Sequence, residues 1–109
     1  MPDRKVMLAL LQDLEAELRA LSLWESVVPP AAAFESTLPF FFDTMVFNQW
    51  LQWVFIARFR AIIEGGHSLP ASCMVASMAE EAFRELDVNS AEIVALLRRF
   101  DALFDEGSA

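Results

Sequence analysis

Met7, Leu11, Leu14, Leu18 and Leu21 stand four, three, four and three residues apart. That alternation keeps a single apolar stripe on one side of an α-helix, and the stripe needs another helix to cover it. Asp3 supplies an N-cap, so the first helix is predicted to run from there to about Leu21 or Trp24, with Glu15, Glu17 and Arg19 in water. Near the other end, Ile93, Leu96, Leu97, Phe100, Leu103 and Phe104 repeat as an amphipathic face. That helix is predicted to begin near Asp87 to Ser90 and to end at about Phe104. A second long helix is predicted over about Val46 to Ile63, stopped by Gly65-Gly66. Ser77-Met78-Ala79-Glu80 has the form of a capping box and opens a third helix, to about Leu86. No strand-like alternation or internal repeat interrupts this pattern. The expected fold is all-α, an antiparallel four-helix bundle in one domain over residues 1–109, with Asp105 to Ala109 as a disordered tail.

The connection from Glu25 to about Met45 is long for a compact domain. Pro29-Pro30 stops any helix, Ala31 to Ala33 suits one short turn, and Pro39 leads into Phe40-Phe41-Phe42. The bundle thus carries a long aromatic-rich loop between its first two helices. Loops of this kind are often functional, or are tied down by their own side chains.

Charge and composition narrow the function classes. The chain has 109 residues and a formal charge of −8. Such a field repels phosphate backbones and anionic headgroups, so direct nucleic-acid or membrane-surface binding is disfavoured and a basic protein partner is favoured. Cys73 is the sole cysteine, which rules out an internal disulfide and fits a reducing compartment. The basic N-terminus is followed too soon by Gln12, Asp13, Glu15 and Glu17 for a secretory leader. Met45 to Ile63 is apolar, but Asn48, Gln49, Gln52, Arg58 and Arg60 make it a poor membrane span. A cytoplasmic protein is expected.

On an ideal wheel of 100° per residue, Phe47, Trp50, Leu51, Val54, Ala57, Ala61 and Ile62 form the core face of the second helix. Gln49 and Arg60 mark its wettest line, with Trp53 and Ile56 beside it. With 56% apolar residues, the chain holds more such surface than four short helices need. Something else is therefore expected to cover Trp53 and Ile56: the Pro29 to Phe42 segment or a second molecule, a homodimer included. Phe40, Phe41, Phe42, Trp53 and Ile56 form the candidate binding surface.

Polar residues among these aromatics make a second candidate. Asp43, Gln52, Arg58 and Asp101 either line a pocket for a small ligand or are consumed by the fold, with Asp43 capping the second helix. Arg58 lies one turn beyond the aromatic core face, so it is expected to be partly buried and paired with Asp43 or Asp101. Cys73, His67 and Asp43 contain the parts of a nucleophile, base and orienter, but sequence supplies no geometry to join them. No histidine or cysteine spacing suits a metal, and no metal or cofactor is expected. Gly65-Gly66 lacks the lysine of a phosphate loop.

Pro39-Phe40-Phe41-Phe42-Asp43-Thr44-Met45, followed by Trp50-Leu51-Gln52-Trp53-Val54, resembles the signature of the bacterial YqcC-like family. Phe34, Ile56 with Arg58, Leu69-Pro70 and Asp101-Ala102-Leu103-Phe104 fall where that family has similar residues. The resemblance covers nearly the whole chain. Ala57 stands where the family often carries proline, and Ser77 where another proline is common. The resemblance implies an all-helical fold, transfers no catalytic residues, and suggests a link to a tRNA pseudouridine synthase, beside whose gene family members commonly lie. The function expected is a non-enzymatic protein-interaction module with a basic RNA-modifying enzyme as partner. The alternative is a small-molecule binder or minor enzyme using Asp43, Gln52 and Arg58.

Overall fold

A computed structural model describes residues 3–86 and 88–108, with the side chains of its final helix described as far as Phe104. All regular structure among the described residues is helical. Helix α1 spans Arg4–Ala20, opened by Asp3, whose carboxylate accepts the N–H groups of Lys5 and Val6. It closes with Ser22 at φ 61°. There the Leu23 N–H reaches back to the Leu18 carbonyl and the Ser22 N–H to that of Arg19, the paired bonds of a Schellman ending. Short 3₁₀ turns at Ala31–Glu35 and Pro39–Phe41 punctuate the connection, the first where the alanine run predicts a turn.

Helix α2 occupies 47–64 and is not uniform. Phe47–Trp50 is α-helical, Leu51–Ile56 forms a π-turn, and Ala57–Glu64 returns to α geometry. Gly66 then adopts φ 68° and closes a second Schellman ending, with the His67 N–H on the Ile62 carbonyl. Helix α3 spans Ala76–Arg84 and helix α4 spans Ala91–Ser108. The backbone is thus helical across 105–108, where the sequence suggests a disordered tail; Ala109, like the proposed helix start at Asp87, lies outside the described residues.

The π-turn overturns the wheel. A π-turn bonds i to i+5, so it holds one residue more than an α-turn. Everything beyond it is rotated by about 100° against an unbroken wheel. Ala57 and Ala61, expected inside, are exposed, while Phe55, Ile56 and Phe59 are buried. Ile56 is 1% exposed and belongs to the same core cluster as Leu11, Leu18, Phe83, Phe100 and Phe104. Its burial therefore comes from the helical core and not from the aromatic loop. Arg58, which an unbroken helix would align with Phe47, is turned out to solvent.

Core packing joins α1 to α4, α3 to α4, and α1 to the last part of α2. Aromatic rings fill the interior: Phe55, Phe59 and Phe100 lie within 5.0–5.2 Å of one another between centroids. Tilted and edge-to-face aromatic contacts of this sort add about 0.5–1.5 kcal/mol each beyond area burial. No described helix is long and apolar enough to cross a membrane.

Candidate functional site

Three amide side chains in the first half of α2, Asn48, Gln49 and Gln52, fasten the segment that leaves α1. Asn48 donates to the Leu23 carbonyl at 3.2 Å. Gln49 accepts the Val46 N–H through Oε1 and donates through Nε2 to the Glu25 carboxylate. Gln52 accepts the Glu25 N–H at 2.8 Å and donates to the Glu25 carbonyl at 2.7 Å. Gln52 is only 5% exposed, so its amide is satisfied by backbone and not directed at a ligand. Residues Trp24 to Ser26 therefore lie beside Trp53, Ile56 and Arg60, with which they line a cleft of about 460 Å³. The segment next to Trp53 is this one, not the Pro29 to Phe42 stretch suggested by the sequence. Glu15 anchors the far wall through Arg60 at 2.9 Å and Arg19 at 3.0 Å. Burial works against its charge, but the hydrogen bonds from Arg60 and Arg19 outweigh that and hold its carboxyl below the ordinary range.

The other predicted polar residues sit apart from Gln52. Asp43 is exposed and accepts the Ser36 hydroxyl; Val46, not Asp43, occupies the N-cap of α2. Asp101 accepts the N–H groups of Val75 and Ala76, both at 2.9 Å, and so caps α3 from another helix. The Ser77 box does not form, because α3 begins before it at Ala76. Arg58 is exposed, stands over the Phe41 ring at 5.8 Å, and has no carboxylate within salt-bridge distance among the described residues. Its expected pairing with Asp43 or Asp101 is absent, since the π-turn points it outward and both acids serve backbone or hydroxyl groups elsewhere. Asp43, Gln52, Arg58 and Asp101 thus share no hydrogen bond or ion pair with one another among the described residues. Cys73 faces Asp101, and burial first, then that carboxylate, pushes its thiol far above the ordinary range.

The aromatic loop builds the more open site. Phe40 and Phe41 follow one another at φ 56° and 51°, a left-handed pair that bulky side chains rarely adopt. Phe40 is held there by Trp50 at 4.8 Å and Phe47 at 5.8 Å between centroids. It forms a wall shared by two apolar clefts. One, of about 480 Å³, runs along Val54, Phe59, Ile62, Pro70 and Met74, with Arg58 as its single charged lining residue. The other, of about 280 Å³, is lined by Phe42, Val46, Met78 and Leu86, with Glu85 as its single charged residue. Phe42 is 63% exposed and Met74 82%. Of the predicted surface, Phe40 and Phe42 line these clefts and Phe41 flanks them under Arg58, whereas Trp53 lines the separate cleft and Ile56 is core. Met74 and Leu86 escape sequence analysis because they lie outside the long aromatic run.

The profile of the DUF446 family, described as tRNA pseudouridine synthase C, matches residues 6–103. The chain belongs to this family. It is similar to the uncharacterized protein YqcC of Escherichia coli, 39% identical over 99 residues, which are 91% of each chain. An uncharacterized protein of Haemophilus influenzae is 42% identical over 77 residues, 71% of this chain and 73% of that one. The solution NMR structure of YqcC from E. coli superimposes with a TM-score of 0.79 at 38% identity, covering 95% of this chain and 89% of the other. A further 60-residue stretch, 55% of this chain, is 45% identical to part of tRNA pseudouridine synthase C from Pectobacterium carotovorum. That stretch makes up 16% of the synthase.

Proposed function

We propose that the protein is a non-enzymatic interaction module, an antiparallel bundle in one domain, that docks a tRNA pseudouridine synthase through the two clefts beside Phe40. The observation that carries this reading is the related segment inside the Pectobacterium synthase. A module covalently tied to an enzyme is held near it at high effective concentration, and a separate chain must replace that tether with an interface. Exposed Phe42, Met74, Val46 and Leu86 supply the apolar anchors such an interface uses. The net charge of −8 suits an enzyme whose surface is basic for tRNA.

The test is titration calorimetry of this chain against a purified tRNA pseudouridine synthase C. A 1:1 complex is expected, weakened at least about tenfold by Phe42→Asp, because a buried carboxylate replaces an apolar anchor. No heat of binding at 100-fold the usual micromolar range, or self-association that seals the same clefts, overturns the reading.

A further inference from the structure

The two clefts on either side of Phe40 differ in charge. Arg58 is the single charged residue lining one, and Glu85 the single charged residue lining the other. Neither has an ionic partner among the described residues. The Arg58 guanidinium stands over the Phe41 ring at 5.8 Å, a contact that favours its position at the cleft mouth. In a chain this acidic, a cation at the mouth of an apolar cleft favours a carboxylate that the rest of the surface would repel.

We propose that both clefts take one continuous amphipathic segment of the synthase, with an acidic residue facing Arg58, a basic residue facing Glu85 and apolar side chains between. The inference rests on the docking reading above and adds its polarity: the opposed charges fix which way the segment runs across Phe40. Its apolar residues fill the clefts, whose volumes of about 480 and 280 Å³ together suit several side chains. The left-handed backbone at Phe40 and Phe41 holds the dividing wall upright, since a relaxed turn would carry the ring away from Trp50.

Affinity for the synthase is measured for wild type, Arg58→Glu, Arg58→Lys, Glu85→Lys and the double charge reversal. Each single reversal is expected to weaken binding roughly tenfold, with Arg58→Lys within about threefold of wild type. The double reversal is expected to stay weak against the native synthase, because it presents the wrong charge at both ends. It should recover when the synthase's own acidic and basic residues are exchanged. Wild-type binding that neither reversal disturbs overturns this inference while leaving the docking reading intact. Absence of wild-type binding overturns both. Circular dichroism of each variant checks that the helices persist; exposed positions such as these should leave the fold unchanged.

Discussion

Asp101 Oδ2 accepts the Ala76 N–H at 2.9 Å across 25 residues of sequence. The same oxygen takes the Val75 N–H, also at 2.9 Å, so a carboxylate of α4 does for α3 what an N-cap side chain does locally. It also places negative charge at the positive end of a helix.

Removing that carboxylate leaves two donors at the start of α3 without acceptors. Asp101→Ala is expected to cost about 1–2 kcal/mol, the range for losing an N-cap. Urea unfolding followed by circular dichroism measures it. An unchanged midpoint would mean that water serves the two N–H groups as well.

The same carboxylate also acts on Cys73. Burial, and then the Asp101 carboxylate, disfavour the thiolate, which is the reactive form. Labelling by a thiol reagent at pH 7–8 should be much slower in the native protein than in the unfolded chain, and faster in Asp101→Asn than in wild type. The raised thiol sets a direction for stability as well. Its contribution is intact below about pH 8.5, where the unfolded thiol is protonated too, and is lost as pH rises beyond that. A native-state labelling rate equal to the unfolded one would contradict this.

Gln52 spans the gap between α2 and the backbone of Glu25 with two bonds. Gln52→Ala should destabilise by about 1–3 kcal/mol, since both Glu25 groups lose a part-buried partner. Hydrogen exchange gives the more specific check: the Glu25 amide should lose protection well before the core of α1. Equal protection in the variant would show that Asn48 and Gln49 suffice to hold the segment.

Much of the fold can be read from residue order because it follows local rules. Asp3 caps α1 by reaching its own next residues, and Gly66 ends α2 by adopting a positive φ; both are visible in a few adjacent letters. The stripes at Met7 to Leu18 and Ile93 to Phe104 need only a period of 3.6. Two features escape that logic. Asp101 acts on residues 25 positions away, so the local box at Ser77 looks like the better cap. The π-turn is hidden because Trp50 to Phe59 is apolar nearly all round, and such a run fits a shifted wheel as well as an unbroken one. That shift alone carries Arg58 from an expected ion pair to the cleft mouth and Ile56 from an expected surface to the core. The aromatic loop is legible as a candidate surface, but Met74 and Leu86, which line the clefts beside Phe40, come from other elements that only folding brings near it.

The π-turn makes a further prediction, through Ala57. Its N–H bonds to the Val54 carbonyl, three residues back rather than four, because the turn just before it has displaced the regular ladder. Proline in a helix interior costs about 3 kcal/mol or more, through the lost i−4 bond and the ring's clash with that carbonyl. At Ala57 proline removes only this i−3 bond, and the turn has displaced the i−4 carbonyl its ring would strike, so Ala57→Pro should cost less than that amount. Ala61→Pro, in the regular stretch of the same helix and equally exposed, should cost the full amount. Chemical unfolding of the two variants side by side supplies the comparison, since they differ in backbone setting and hardly in burial. If Ala57→Pro proves as damaging as Ala61→Pro, the helix is regular in solution. Arg58 would then return toward the core face, and the charged mouth of the Phe40 cleft would be lost with it.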